Sequence, residues 1–143
     1  MNKELSIISD IPAMTERQVH KVKLLESLML KQMQVPIPVN HFIHGGMYVR
    51  SVMIPAGTII TGALIKIETS LVMNGHAMIH TGEKWIERSG YNVIPAAAHR
   101  KQIFVAISDI NLTMFFPTAA KTVKHAEEQF TSEFGLLQNR RES

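Results

Sequence analysis

Cysteine is absent from the 143 residues, which excludes disulfides, thiol nucleophiles and zinc–thiolate sites together. Aromatic residues make up only 6%, and the basic residues are scattered from Lys3 to Arg141 instead of gathering beside aromatics on one face. That scatter argues against a nucleic-acid partner in spite of a formal net charge of +3. Nowhere do about eighteen apolar residues run together, so no membrane span is expected. The first residues, Met1 to Asp10, lack the apolar run of a signal peptide, and the expected location is the cytoplasm. Carboxylates are sparse in the middle of the chain (Glu68, Glu83, Glu87, Asp109), which leaves little for acid–base catalysis. No nucleophile elbow, phosphate loop or Ser/His/Asp order stands out.

What is present falls into zones of different period. Residues 1–14 read as a flexible or loosely docked arm. Thr15-Glu-Arg-Gln18 has the form of a capping box. Behind it Val19, Val22, Leu25, Leu28 and Met29 recur at helical spacing, so residues 15–34 read as an amphipathic helix that Val35-Pro-Ile-Pro38 ends. Residues 35–117 change to the strand period. Ile59, Ala63, Ile65 and Ile67 alternate with Ile60, Gly62, Leu64 and Lys66. Ile103, Val105 and Ile107 alternate with Phe104 and Ala106, and Leu112, Met114 and Phe116 with Thr113 and Phe115. Turn signals separate the runs at Pro55-Ala-Gly57, Asn74-Gly75, Thr81-Gly82, Ser89-Gly90 and Ser108-Asp109. Short strands at such spacing predict a sandwich or barrel, and the glycine and proline rhythm is that of a small jelly roll. Residues 118–143 return to helix and tail, capped by Thr118, with Val123, Ala126, Phe130, Phe134 and Leu137 as the apolar stripe and Glu127, Glu128, Lys121 and Lys124 as the wet face. Such stripes close the barrel or meet a second copy. Most of the nine methionines read as core filler.

The run Gly45-Gly-Met-Tyr-Val-Arg50, Ile54-Pro-Ala-Gly-Thr58, Thr61-Gly62, then Gly75, Gly82 and Pro95, resembles the cupin superfamily. With Phe116-Pro-Thr118, Glu127, Glu128 and Thr131-Ser-Glu133, it looks like the small cupin-like proteins of tailed bacteriophages and prophages. The resemblance implies an all-β, single cupin-like jelly-roll barrel flanked by an N-terminal and a C-terminal α-helix. Metal cupins hold an ion with histidines and a glutamate from two blocks. Here Ala63 to Asn74 offers only Glu68, and the later block keeps His99 at a shifted spacing. No cofactor is therefore expected. If a metal binds, the set to test is His41, His44, Glu68 and His99.

Histidines elsewhere are poor ligands by geometry. His76 and His80 share a strand face but stand roughly 13 Å apart, whereas zinc holds each imidazole nitrogen at about 2.0–2.1 Å. His41-Phe-Ile-His44 reads as a loop that enters the first barrel strand. His99-Arg100-Lys101 concentrates positive charge after the small residues Ala96-Ala-Ala98, and reads either as an anion grip or as a solvated basic turn. Arg50 is a second anion candidate, with Tyr48 on the same strand face. Tyr48 or Trp85 supplies an aromatic wall. The expected function is non-catalytic: a small anionic ligand bound in or near the barrel, a sequestered host nucleotide signal being one version. The alternatives are an assembly module of a phage particle and a metal-dependent cupin enzyme with a non-standard site. A homo-oligomer is expected in either of the first two cases.

Overall fold

A computed structural model describes residues 11–137. Helix α1 spans Glu16–Met29. Nine strands follow: β1 (Val39–His44), β2 (Met47–Ile54), β3 (Ile59–Thr61), β4 (Thr69–Asn74), β5 (Ala77–His80), β6 (Trp85–Arg88), β7 (Tyr91–Ala96), β8 (Ile103–Ala106) and β9 (Ile110–Pro117). Helix α2 covers Val123–Phe130, and a 3-10 turn covers Phe134–Leu136.

The strands form two antiparallel sheets, one in the order β1-β2-β9-β4-β7 and the other β3-β8-β5-β6. Alternation drives the packing. Leu71 and Met73 of β4, Ile110 and Met114 of β9 and Ile94 of β7 face Ala77 and Ile79 of β5 and Phe104 of β8, all in one buried cluster. This is a jelly roll of two facing sheets. The β1–β2 hairpin turns on Gly45 and Gly46, whose φ of 59° and 75° suit the two-residue turn that matches strand twist.

The ends of the chain depart from the expected zones in instructive ways. The arm expected over residues 1–14 is docked where it is described: Ile11 is fully buried and bridges Ala96 in parallel, and Met14 is buried beside Val19, Val22 and Ile103. The rest of that arm lies outside the described residues, as does the tail beyond Leu137. The capping box at Thr15 and Gln18 forms in both directions. The helix ends at Met29, short of residue 34, where the Gln34 side-chain amide donates to the Met29 carbonyl. Val19 and Val22 pack on the outer side of β8 through Ile103, whereas Leu25 and Leu28 stay exposed. Burying each valine contributes roughly 1.5–3 kcal/mol, and the second half of the stripe lacks that term. Expected strand 59–67 breaks after Thr61, and Ile65 instead makes an isolated bridge to Arg100.

At the other end the N-cap is Thr122, which accepts from His125 N–H, rather than Thr118. Thr118 caps the preceding turn through Ala120 N–H. Ala126 and Phe130 dock into the jelly roll, and Phe130 joins Tyr48 and Phe116 in an aromatic trio with ring centroids 5.3–6.1 Å apart.

Candidate functional site

Between the sheets, under the chain that follows α1, lies a cavity of about 480 Å³. Val52, Ile60, Ile65, Leu71, Leu112 and Met114 supply much of its apolar wall. Leu30, Met33 and Val35 also line it, and all three are exposed, Met33 at 96%. They form an apolar rim. Two cations face the cavity, Arg50 from β2 and Arg100 from the turn before β8.

The two arginines differ in their partners. Arg50 Nη1 lies 3.3 Å from Glu127 Oε2 and 3.4 Å from the Tyr48 hydroxyl. Glu127 is 1% exposed and also lies 3.7 Å from His41 Nδ1. The Arg50 charge is therefore matched by a buried carboxylate. Burial, helped by the Arg50 charge, pushes the His41 imidazole below its ordinary range, although Glu127 pulls the other way.

Arg100 is only 1% exposed. Its Nη1 donates to the Ala97 carbonyl and its Nη2 to Thr69 Oγ1, each at 2.6 Å. No carboxylate among the described residues lies within ion-pair distance, and its buried Nε has no acceptor. Burial lowers its pKa to about 10, so it keeps its charge at neutral pH. A buried cation with an open donor is costly to leave in that state. Backbone geometry delivers it: His99 adopts φ 62°, and the amides of His99 and Arg100 both donate to the Ile65 carbonyl. Histidine tolerates that left-handed conformation better than most residues.

The other expected site residues are dispersed. Lys101, fully buried, does not line the cavity. Its Nζ donates to Glu133 Oε1 at 2.6 Å, to the Gly62 carbonyl at 2.9 Å and to Glu26, whose Oε1 is 3.0 Å away. An ammonium with three acceptors is a structural tie, whereas the sequence reading has Lys101 at the ligand. Burial alone would raise the Glu133 carboxyl, but hydrogen bonds from Lys101 and Leu64 N–H, with the charges of Lys101 and Lys23, outweigh it and lower the pKa. His99 Nε2 lies 2.9 Å from Glu16 of α1, outside the cavity. Trp85 is half-exposed at the start of β6, edge-on to His80, and is not part of the cavity wall. Tyr48 sits behind the wall, fully buried under Phe130. Of the six residues, Arg50 and Arg100 share the cavity and Tyr48 supports Arg50.

The residues of the conditional metal set are not brought together. His41-Phe-Ile-His44 is strand β1 and not a loop, because it pairs in full with β2, so His41 and His44 point to opposite faces. Glu68 is exposed, and His99 Nε2 lies 2.9 Å from Glu16 Oε1 without a hydrogen bond to it among the described residues. Among the described residues no three histidine, aspartate or glutamate side chains are grouped to hold a metal. The residues present do not fit the ion that the cupin resemblance implies. His76 and His80 are likewise engaged separately, by Glu87 and by Trp85.

Glu127 is the residue that sequence reasoning placed wrongly. Read as part of the wet face, it lies beside Ala126 and one turn before Phe130 on the buried side of α2. Thr69 and Gln102, both buried, also escaped notice. Thr69 positions Arg100, and Gln102 lines the cavity.

No family model matches the sequence, and no curated protein matches it. Solved structures do match the fold. A cupin superfamily protein from Desulfitobacterium hafniense aligns at 10% identity with a TM-score of 0.50, covering 61% of this chain and 82% of that one. A cupin-2 domain from Rhodospirillum rubrum aligns at 10% identity and TM-score 0.50, over 64% of this chain and 68% of that one. Ectoine synthase from P. lautus aligns at 15% identity and TM-score 0.51, over 69% of this chain and 76% of that one. No helix among the described residues is long and apolar enough to cross a membrane. The two facing sheets, their order and these likenesses give the chain a cupin-type jelly-roll fold.

Proposed function

We propose that the jelly roll is a non-catalytic receptor for a small anionic molecule, held between the sheets with Arg100 as its counter-ion. The observation that carries this reading is the state of Arg100: buried in a cavity wall, charged, and without a carboxylate among the described residues. Arg50 adds a second donor whose charge Glu127 already balances. A ligand anion would complete the unmatched guanidinium, as an arginine fork does with carboxylate or phosphate. Host nucleotide capture is one version of this function, and the phage-type likeness would place it in an infected cell's cytoplasm.

A thermal-shift panel of carboxylates, inorganic phosphate and nucleotides tests the reading. An anion at a hundred times its Kd stabilises by about 2.7 kcal/mol, which is about 5–10 °C in Tm for a chain of this size. The shift is expected in the wild type and absent in Arg100→Gln. A panel in which no anion shifts Tm counts against the proposal.

Exposed apolar surface favours a second reading, self-assembly. Leu24 and Leu28 stand one turn apart on α1 at 55% and 60% exposure, and Phe42 is exposed on the edge strand β1. Such faces are often covered by a second copy. Sedimentation velocity should then show an oligomer that Leu28→Glu dissociates; a monomer at all concentrations ends this reading. An assembly role in a phage particle would build on the same faces.

A further inference from the structure

The chemistry of the cavity narrows the ligand. Resting on the proposed binding function, we infer that the cavity takes an amphipathic monocarboxylate, with its carboxylate at Arg100 and its apolar body running out toward Met33.

Charge counting comes first. Arg50 and Glu127 cancel, and the Glu26 carboxylate, which also lines the cavity, is taken by Lys101. Glu133 shares the Lys101 ammonium and lies 3.8 Å from Lys23, so among the described residues Arg100 is the cavity-lining cation with no carboxylate within ion-pair distance. A single negative charge completes it, whereas a nucleotide would bring further charge toward Glu26 and base edges into a lining that, apart from Gln32, Gln34, Thr58, Thr61 and Gln102, is mostly apolar.

Position comes second. Arg100 is 1% exposed, and Met33, on the same cavity, is 96% exposed. The charged group is therefore at the deep end and the apolar rim at the surface. A ligand enters head first and leaves its chain against Ile60, Ile65 and Leu112. Thr69 and the Ala97 carbonyl hold the guanidinium in place before the ligand arrives, which lowers the ordering cost on binding. The buried Nε–H, which has no acceptor among the described residues, is the donor that remains to be matched.

Size comes third. At about 30 Å³ per non-hydrogen atom, the share a water takes in the liquid, the 480 Å³ cavity holds about sixteen such atoms. A medium-chain carboxylate fits that figure.

The test is calorimetric titration of the full chain with decanoate, 1-decanol and adenosine monophosphate. Decanoate is expected to bind about tenfold to hundredfold more tightly than decanol, the range of a charge-assisted hydrogen bond, and Arg100→Gln is expected to bring the two together. Circular dichroism checks that this variant folds. A second variant, Ala63→Phe, leaves Arg100 intact and fills the cavity beside Gly62. It should weaken both chain compounds by about tenfold or more, and an unchanged affinity overturns the placement of the chain. Binding of adenosine monophosphate and not decanoate, lost in Arg100→Gln, overturns the monocarboxylate while leaving the anion receptor standing. Equal binding of decanol and decanoate by the wild type overturns the pairing at Arg100. Failure of decanoate to bind overturns this inference whatever adenosine monophosphate does, and the anion panel decides the receptor reading separately.

Discussion

Replacing Lys101 with methionine keeps the length and packing of the side chain and removes one charge. The charge sits at 0% exposure, with Glu133 at 2.6 Å and Glu26 at 3.0 Å. Glu26 belongs to α1 and Glu133 follows α2, so one ammonium ties both ends of the described chain to the jelly roll. Without it two carboxylates, only 12% and 14% exposed, face each other across an apolar methyl group. Breaking a buried pair costs about 3–5 kcal/mol. Partial exposure of the carboxylates puts this case at the lower end, about 3 kcal/mol. With a urea m-value of about 2 kcal/mol/M, the midpoint should fall by about 1.5 M. The triple variant Lys101→Met, Glu26→Leu, Glu133→Leu removes every charge in the cluster and should recover most of the loss, because a buried ionic group and its apolar replacement are often near equal. A single variant within about 1 kcal/mol of wild type, or a triple variant no better than the single, would refute the tie.

Three further outcomes follow from local geometry. Gly75→Ala should cost more than about 2 kcal/mol in urea denaturation, because φ is +132° and an added Cβ would lie 2.6 Å from the Asp109 carbonyl oxygen. Glu127→Gln leaves the Arg50 charge buried without its counter-charge and should cost about 3 kcal/mol, with Arg50→Met, Glu127→Leu restoring part of it; a neutral single variant would contradict the pairing. The imidazoles of His41 and His80 both titrate below the ordinary 6.5, chiefly through burial. As pH falls below that value the unfolded chain takes up protons first, so stability is full above it and declines toward the lowered folded pKa. The urea midpoint should drop from about pH 7.5 to about pH 5, less steeply in His41→Gln. A flat profile would contradict it.

Much of the fold was legible because it rests on local chemistry. Thr15 and Gln18 carry a capping box within four residues, and the turns at Gly57, Gly75, Gly82 and Gly90 need the positive φ that glycine supplies. Alternation through Ile110–Pro117 reads directly as a strand with Met114 and Phe116 inward. The site was less legible because its logic is long-range. Arg50 and Glu127 are 77 residues apart in sequence, and Lys101 and Glu26 are 75 apart. No local pattern states that Glu127 turns inward or that Lys101 is saturated while its neighbour Arg100 is left open. Strand β1 was missed for a related reason. Val39, His41 and Ile43 alternate with Asn40, Phe42 and His44, but histidine on the inner face and phenylalanine on the outer reverse the usual polarity.

The central claim is that the buried Arg100 guanidinium awaits an anion, and the side-chain Nε–H resonance of Arg100 reports on it directly. In 15N-labelled protein the signal absent from Arg100→Gln identifies it. Titration of the wild type with decanoate should move that resonance saturably, to a downfield position typical of a carboxylate partner, while 1-decanol leaves it in place. A resonance that stays fixed while decanoate binds would contradict the account.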